Sequence, residues 1–271
     1  MKLLNGRELA GYIKERQAKQ VRGITQAHGV VPVLAILKLK EDSVIDTYIG
    51  LKQRYGDDIG VRVEVIDISQ SEALDKIEEL NNDESIHGII VQLPIEDSEQ
   101  TNEILNAVSV QKDVDGLAQG SPFDPATPTA IMWLLAGYNI DLSGKKFAVV
   151  GKGLLVGAPL IRMLKSSDYD VTLVDTSTEN MSQVLQKSDI IISATGVPGL
   201  ITNEMVTPGA VIIDAGVAVQ SGRTVGDVAP ELYEREDIAA ITPQKGGVGP
   251  LTVSALFENV IKSARRLTKD D

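Results

Sequence analysis

The chain has no cysteine and only two histidines, His28 and His87, in 271 residues. The first absence removes disulfides, thiolate nucleophiles and cysteine zinc sites, and the second leaves little from which a protein-built metal site could be assembled. Long apolar runs are also missing. No stretch approaches the ~20 residues that span a bilayer, and the opening MKLLNGRELA lacks the apolar segment and small-residue cleavage site of a secretory signal. These absences predict a cytoplasmic protein with no metal site of its own. Positive charge is scarce too: 26 Lys and Arg face 38 Asp and Glu, a formal charge of −12. That balance opposes binding to nucleic acid or anionic membranes, because phosphate contacts need clustered basic side chains. An anionic ligand would need a local basic pocket.

What is present is ample core material, 43% apolar residues in a length that fits about two domains. An amphipathic helix is predicted over about residues 7–22, ending near Gly23. Then VPVLAILKL (31–39) reads as a buried strand, 43–55 as a helix capped at Ser43, and 61–66 as a strand. A helix over 72–81, a strand over 86–93 closed by Pro94, and a helix over 97–107 capped at Asp97 complete the series. This alternation predicts a parallel sheet with right-handed crossovers. Past Lys112 the chain is rich in Gly and Pro, which marks a boundary before a helix over 129–136. Further strands are predicted over 147–150, 171–174, 190–194, 211–214 and 238–241, followed by a final helix over 251–267. The fold class is therefore two three-layer α/β domains, the second of Rossmann type, with a C-terminal helix that returns to the first. Residues 1–120 and 250–271 are assigned to the first domain and 121–249 to the second.

The stretch KKFAVVGKGLLVGAPL (145–160) brings a short apolar strand to Gly151 and Gly153, with a helix starting near Val156. Such a turn lets a pyrophosphate approach the backbone and meet the positive end of the helix. The spacing, Gly151, Gly153 and Gly157, is one residue longer than the usual dinucleotide fingerprint, and an ordinary strand-to-helix turn has the same pattern. The β-α alternation that follows supports the dinucleotide reading.

Tyr48 and Lys52 are four residues apart on a predicted helix and so share one face, where they can address one ligand or form an ordinary solvated pair. Gln92 is a polar amide in the apolar run IIVQLP, near the carboxyl end of a strand, where open α/β sheets place ligands. It must have a structural partner or face a site, since an unpaired buried amide is costly. Asp115 in KDVDGL precedes a glycine and reads either as a turn residue or as a site residue.

Taken together, LLNGRELA, TYIGLKQR, HGIIVQLPI, KDVDGL, PATPTAIMWLL, GKGLLVGAPL, SDIIISATGVPGLI, GAVIIDAGV, GDV and ITPQKGGVGPLTV resemble, in order and approximate spacing, the bifunctional methylenetetrahydrofolate dehydrogenase/methenyltetrahydrofolate cyclohydrolase family. The resemblance covers nearly the whole chain. It implies oxidation of 5,10-methylenetetrahydrofolate by hydride transfer to NAD or NADP, then hydrolysis to 10-formyltetrahydrofolate, in the one-carbon metabolism that supplies purine biosynthesis. It implies Lys52 as the central catalytic residue, Gln92 positioning or tuning it, Tyr48 stacking on the aminobenzoate ring and Asp115 hydrogen-bonding the pterin. Pro243, Gly246 and Gly247 would border the folate. Gly151, Lys152, Gly153, Asp175, Thr176, Thr195, Gly196 and Val217 would hold the cofactor. The partners implied are tetrahydrofolate derivatives and a second copy of the chain in a homodimer.

Several positions depart from the family pattern. Gly-Arg-Ser at the turn is Gly151, Lys152 and Gly153 here, and His-Ser after the next strand is Asp175 and Thr176. Loss of a guanidinium and gain of a carboxylate weaken recognition of a 2′-phosphate, whereas Asp175, 24 residues after Gly151, stands near the offset of a ribose-binding acid, or is an ordinary turn or cap aspartate in DTST. NAD is favoured over NADP on this ground, although Lys152 can still meet a phosphate as a point charge. The serine three before the tyrosine is Ile45, the preceding loop is recast as KLKEDSV, and the linker after DVDG is shorter. Gln244 and Lys245 are new in the glycine-rich loop, where Lys245 either meets an anionic folate tail or is exposed. The alternatives are a divergent dehydrogenase without cyclohydrolase activity, or a non-catalytic nucleotide-binding module of the same fold.

Overall fold

The computed structural model describes residues 1–220 and 223–267. In chain order its elements are β1 (Lys2–Leu3), α1 (Gly6–His28), β2 (Val33–Lys38), α2 (Ser43–Ile59), β3 (Arg62–Asp67), α3 (Ala73–Asn82), β4 (Gly88–Gln92) and α4 (Thr101–Ala107). The second half contributes α5 (Ala126–Gly137), β5 (Lys146–Val150), α6 (Gly157–Ser166), β6 (Asp170–Val174), α7 (Met181–Gln186) and β7 (Ile190–Ser193). It closes with β8 (Val211–Asp214), β9 (Ala218–Gln220), β10 (Arg223–Val225), β11 (Ala240–Ile241) and α8 (Val248–Leu267). Two compact units result, one of residues 11–126 with the chain from Val253, the other of residues 1–10 with 127–252.

In the first unit β2 is buried along all six residues, as a strand covered on both faces must be, and it lies at the centre of a parallel sheet ordered β3-β2-β4. Leu37, Ile77, Ile89 and Ile104 lie in its core. Helix α2 presents Ile45, Ile49, Gly56 and Ile59 inward, which leaves Tyr48 and Lys52 on another face. Its cap is Asp42, not Ser43 as the sequence suggested: the Asp42 carboxylate accepts from the amides of Val44 and Ile45. The acid outcompetes the serine because its oxygen meets the orphan amides with a full charge beside the helix dipole. Asp97 does cap, accepting from Glu99, although a 3₁₀ turn precedes α4. Helix α1 runs to His28, past Gly23, which faces open space.

The C-terminal helix belongs with this unit from Val253 onward, as expected; residues 268–271 lie outside the described residues. Phe257, fully buried, packs on Tyr55 with ring centroids 5.0 Å apart. The Tyr55 hydroxyl donates to Gln17 Oε1 at 2.7 Å and accepts from Ser254 Oγ at 3.0 Å, and Asn259 donates to the carbonyls of Val114 and Asp124 at 2.9 Å.

The second unit is built on a six-stranded sheet ordered β1-β11-β8-β7-β5-β6, with every pairing parallel. Counted from β5, the strands stand in the order second, first, third, fourth, fifth, a doubly wound arrangement whose switch point lies between β5 and β7. Residues 1–10, placed with the first domain on sequence grounds, fall in this unit, because β1 adds to the sheet beside β11. Residues 121–126 fall in the other. An antiparallel hairpin of β9 and β10 follows β8; no periodic pattern in the sequence had marked it.

Candidate active site

Lys52 is half-buried and donates from Nζ to Gln92 Oε1 at 2.5 Å. The Gln92 amide is oriented by its own Nε2, which donates to the Leu93 carbonyl at 3.0 Å, so its oxygen is the atom left to face the lysine. Burial pushes the Lys52 ammonium below its ordinary value, with the Asp115 carboxylate opposing. Asp115 in turn is pushed up to about 6 by burial, against the pull of Lys52 and with a further push from Asp113. The segment carrying Asp115 is held alongside β4, where Asp113 bridges Ile89 and the Ile89 amide donates to the Lys112 carbonyl at 2.7 Å. Asp113 Oδ2 accepts from the Ala118 amide at 2.9 Å, which closes the turn. Glycine is required at position 116: φ is +70°, and a Cβ there would lie 2.6 Å from the Phe123 carbonyl oxygen. Tyr48 is 38% exposed one turn before Lys52 and available for stacking, and partial burial raises its hydroxyl pKa. The first unit thus brings Tyr48, Lys52, Gln92 and Asp115 to the carboxyl ends of its strands.

In the second unit the predicted cofactor residues gather at the switch point. Gly151 has φ +99°, and a Cβ there would lie 2.8 Å from the Ala194 carbonyl oxygen and 3.1 Å from the Thr195 methyl. A Cβ on Gly157 would lie 2.0 Å from the Gly151 oxygen, which packs α6 hard against the turn, while Gly153 faces open space. Val156, the N-cap of α6, offers no side-chain acceptor to the first amides. Gly196 approaches Val217, its added Cβ falling 3.2 Å from the Val217 oxygen. These features fit a dinucleotide: backbone bare enough for a pyrophosphate to approach, at a helix N-terminus. Lys152 pairs with Asp175 Oδ2 at 2.7 Å, and Asp175 Oδ1 accepts from Ser177, so its carboxyl is held well below the usual range. Thr176 is exposed beside it.

The profile of the tetrahydrofolate dehydrogenase/cyclohydrolase catalytic domain matches residues 4–115, and that of the family's NAD(P)-binding domain matches residues 125–268. The chain belongs to the tetrahydrofolate dehydrogenase/cyclohydrolase family. Among its relatives, the bifunctional protein FolD of Macrococcus caseolyticus is 36% identical over 279 residues, covering 98% of each chain. The crystal structure of the bifunctional FolD dehydrogenase/cyclohydrolase from Campylobacter jejuni superposes with a TM-score of 0.93 at 34% identity, over 98% of this chain and 99% of that one. The Trypanosoma brucei enzyme, solved with NADP and an inhibitor, gives a TM-score of 0.91 at 29% identity, over 98% of each.

Against the family pattern, the structure relocates two of the departures. Ile45 is 2% exposed and belongs to the buried stripe of α2, so it replaces the usual serine in the core, away from Lys52's face. The recast loop is organised by Lys38, whose side chain is 9% exposed and pairs with Glu41 at 2.9 Å, Asp67 at 3.0 Å and Asp46 at 3.1 Å. Lys245 is exposed. Pro243, Gly246 and Gly247 lie in the β11-α8 loop of the second unit, pinned where the Arg7 amide donates to the Gly246 carbonyl at 2.9 Å. Sequence reading passed over two acids that tie together the chain at the ends of β7 and β8, Asp214 and Asp227. Both lie inside quoted family segments, and an acid within two residues of a glycine was the signal available.

Proposed function

We propose that the chain oxidises 5,10-methylenetetrahydrofolate to the methenyl cation and then hydrolyses that cation to 10-formyltetrahydrofolate. The unit of residues 11–126 and 253–271 would carry the folate chemistry and the other unit the dinucleotide. The observation that carries the reading is the Lys52–Gln92 contact at 2.5 Å, in a chain of this family. In the first step a hydride leaves the one-carbon bridge and the methenyl cation remains; NAD(P), when bound, supplies the acceptor for that hydride. No side-chain base is needed there, since the bridge loses no proton, and proximity dominates. Gly151, Lys152, Gly153, Asp175, Thr176, Thr195, Gly196 and Val217 would hold the acceptor.

In the second step water adds to the cationic carbon and loses a proton; the ring C–N bond then breaks as that nitrogen gains a proton and the new hydroxyl releases its own to solvent, becoming the formyl C=O. Lys52, its pKa lowered by burial and lowered further by the adjacent cation, takes the first proton and returns one to the nitrogen. Gln92 fixes the direction of the Lys52 lone pair. Asp115 accepts from pterin N–H groups, and Tyr48 stacks on the aminobenzoate ring. In Lys52→Met, methenyl hydrolysis is expected to fall by roughly 10²–10⁴-fold while folate still binds. Full hydrolysis in that variant, followed by the decay of methenyl absorbance, would sink the assignment.

The cofactor favoured is NAD. Asp175 stays ionised and occupied with Lys152, so a 2′-phosphate would meet a carboxylate, whereas a ribose 2′-OH can donate to it. Asp175→Ser is expected to raise kcat/KM with NADP relative to NAD, and a wild-type preference for NADP would overturn the assignment. Family resemblance supports a cytoplasmic homodimer, to be checked by light scattering for twice the 29.1 kDa chain mass.

A further inference from the structure

At the carboxyl ends of β7 and β8 lie two interlocked aspartates. Asp227 is wholly buried, and its Oδ2 accepts from Ser193 Oγ at 2.7 Å, from the Thr195 amide at 2.7 Å and from Thr195 Oγ1 at 2.9 Å. Its Oδ1 is buried without a hydrogen-bond partner. Asp214 Oδ1 accepts from the amides of Gly216 at 3.0 Å and Asp227 at 3.1 Å, and Oδ2 accepts from Val228 at 3.0 Å. Each carboxylate presses on a glycine. A Cβ on Gly216 would lie 2.0 Å from Asp227 Oδ1, and one on Gly226 would lie 2.0 Å from Asp214 Oδ2.

Burying a carboxylate costs free energy that an apolar side chain would not, so its retention calls for a return. The sheet has other cohesion here: β7 and β8 are joined by a parallel ladder in which three of the four pairs, Ile190–Val211, Ile191–Ile212 and Ile192–Ile213, are buried aliphatics. What Asp227 fixes is Thr195, whose methyl group abuts the Gly151 turn, and Thr195 leads into Gly196, which abuts Val217. Strand order then says which half of a dinucleotide these loops would meet. With the pyrophosphate at the turn after β5 and the adenosine ribose at Asp175 after β6, the other half must extend over β7 and β8, on the opposite side of β5.

We propose that Asp227 is a positioning residue for dehydrogenation: through Thr195 it holds the β7 and β8 loops in the shape that receives the nicotinamide half of the cofactor. This rests on the reading that the second unit binds NAD(P). Asp227 acts through Thr195 and does not touch the reacting atoms, so hydrolysis of the methenyl substrate, which uses no dinucleotide, is independent of it.

The test titrates NADH and NADPH fluorescence against wild type, Asp227→Ala and Asp227→Asn, with methenyl hydrolysis and thermal melts measured alongside. Asp227→Ala, which leaves the Thr195 amide unpaired, is expected to weaken binding about tenfold or more. Asp227→Asn keeps one acceptor oxygen and loses the charge, so it is expected to recover part of the loss while hydrolysis stays within about twofold of wild type in both. If Asp227→Ala does not fold, Asp227→Asn decides alone, with binding several-fold weaker than wild type. Unchanged dinucleotide binding in Asp227→Asn, or hydrolysis falling in parallel with binding, overturns the proposal. Wild type that binds neither NADH nor NADPH would sink the functional reading and this inference together; wild-type binding that the variants leave untouched sinks only the inference.

Discussion

Asp115 shows how burial of one side chain bears on stability and, in the proposed function, on folate binding. Its carboxyl rises from an ordinary 3.8 to about 6, so between those values the native state keeps a proton that the unfolded chain has released. Stability from this group is therefore greatest below pH 4, falls as pH rises through 4 to 6, and is flat above, an effect of at most about 3 kcal/mol. Denaturant melts of wild type and Asp115→Asn should diverge across that window, with the variant the more stable at pH 7.5. In the proposed function the anion is the form that would accept from a pterin, so folate binding should show an acid limb near pH 6 that Asp115→Asn abolishes. Gln92→Glu tests the neighbouring contact: a carboxylate against Lys52 raises the lysine's pKa, shifts the hydrolysis profile to higher pH and slows it roughly 10- to 100-fold at neutrality. Tyr48, Lys52 and Gln92 could be singled out as candidates because their signals are local, a spacing of four on a helix and an amide in an apolar strand, whereas only the family resemblance favoured a site over a solvated pair or a structural amide. Asp227 was not, since its meaning depends on Thr195, 32 residues away.

At the scale of elements, α2 carries Tyr48 and Lys52, and its position depends on how closely it is seated. A Cβ on Gly56 would meet the Val63 side chain at 2.5 Å and the Val61 oxygen at 2.8 Å, so Gly56→Ala should destabilise by about 1–3 kcal/mol through overpacking against β3. Phe257→Ala on α8 empties a fully buried site against Tyr55, one turn from Lys52, and should cost about 3–5 kcal/mol in chemical denaturation. Hydrolysis should fall in that variant more than cofactor binding does, because Tyr55 and Lys52 share the helix. The elements themselves were largely readable from apolar period and glycine. Their ends were less so: the choice of Asp42 over Ser43 as cap turns on which side chain reaches two amides, and α1 continues past Gly23 because nothing there stops it. Lys38 looked like the tail of an apolar strand, yet three acids from three different segments make its burial tolerable.

For the whole molecule, the chain passes between its two units three times, at residues 10–11, 126–127 and 252–253. A fragment of residues 11–126 lacks Phe257, Asn259 and the Ser254 partner of Tyr55, and is expected to show no cooperative melt; a sharp transition in that fragment would show α8 to be dispensable. By itself the sequence determined the α/β class, the family and most of the candidate side chains, because these follow from hydrophobic period, glycine placement and motifs that act over a few residues. Tertiary structure alone decided that β1 completes the second sheet and that Ile45 is core. It also decided that Lys52 meets Gln92, and that two aspartates lock the β7 and β8 loops. Each of these is a contact between residues far apart in the chain, and no local pattern encodes a partner that folding has yet to bring into reach.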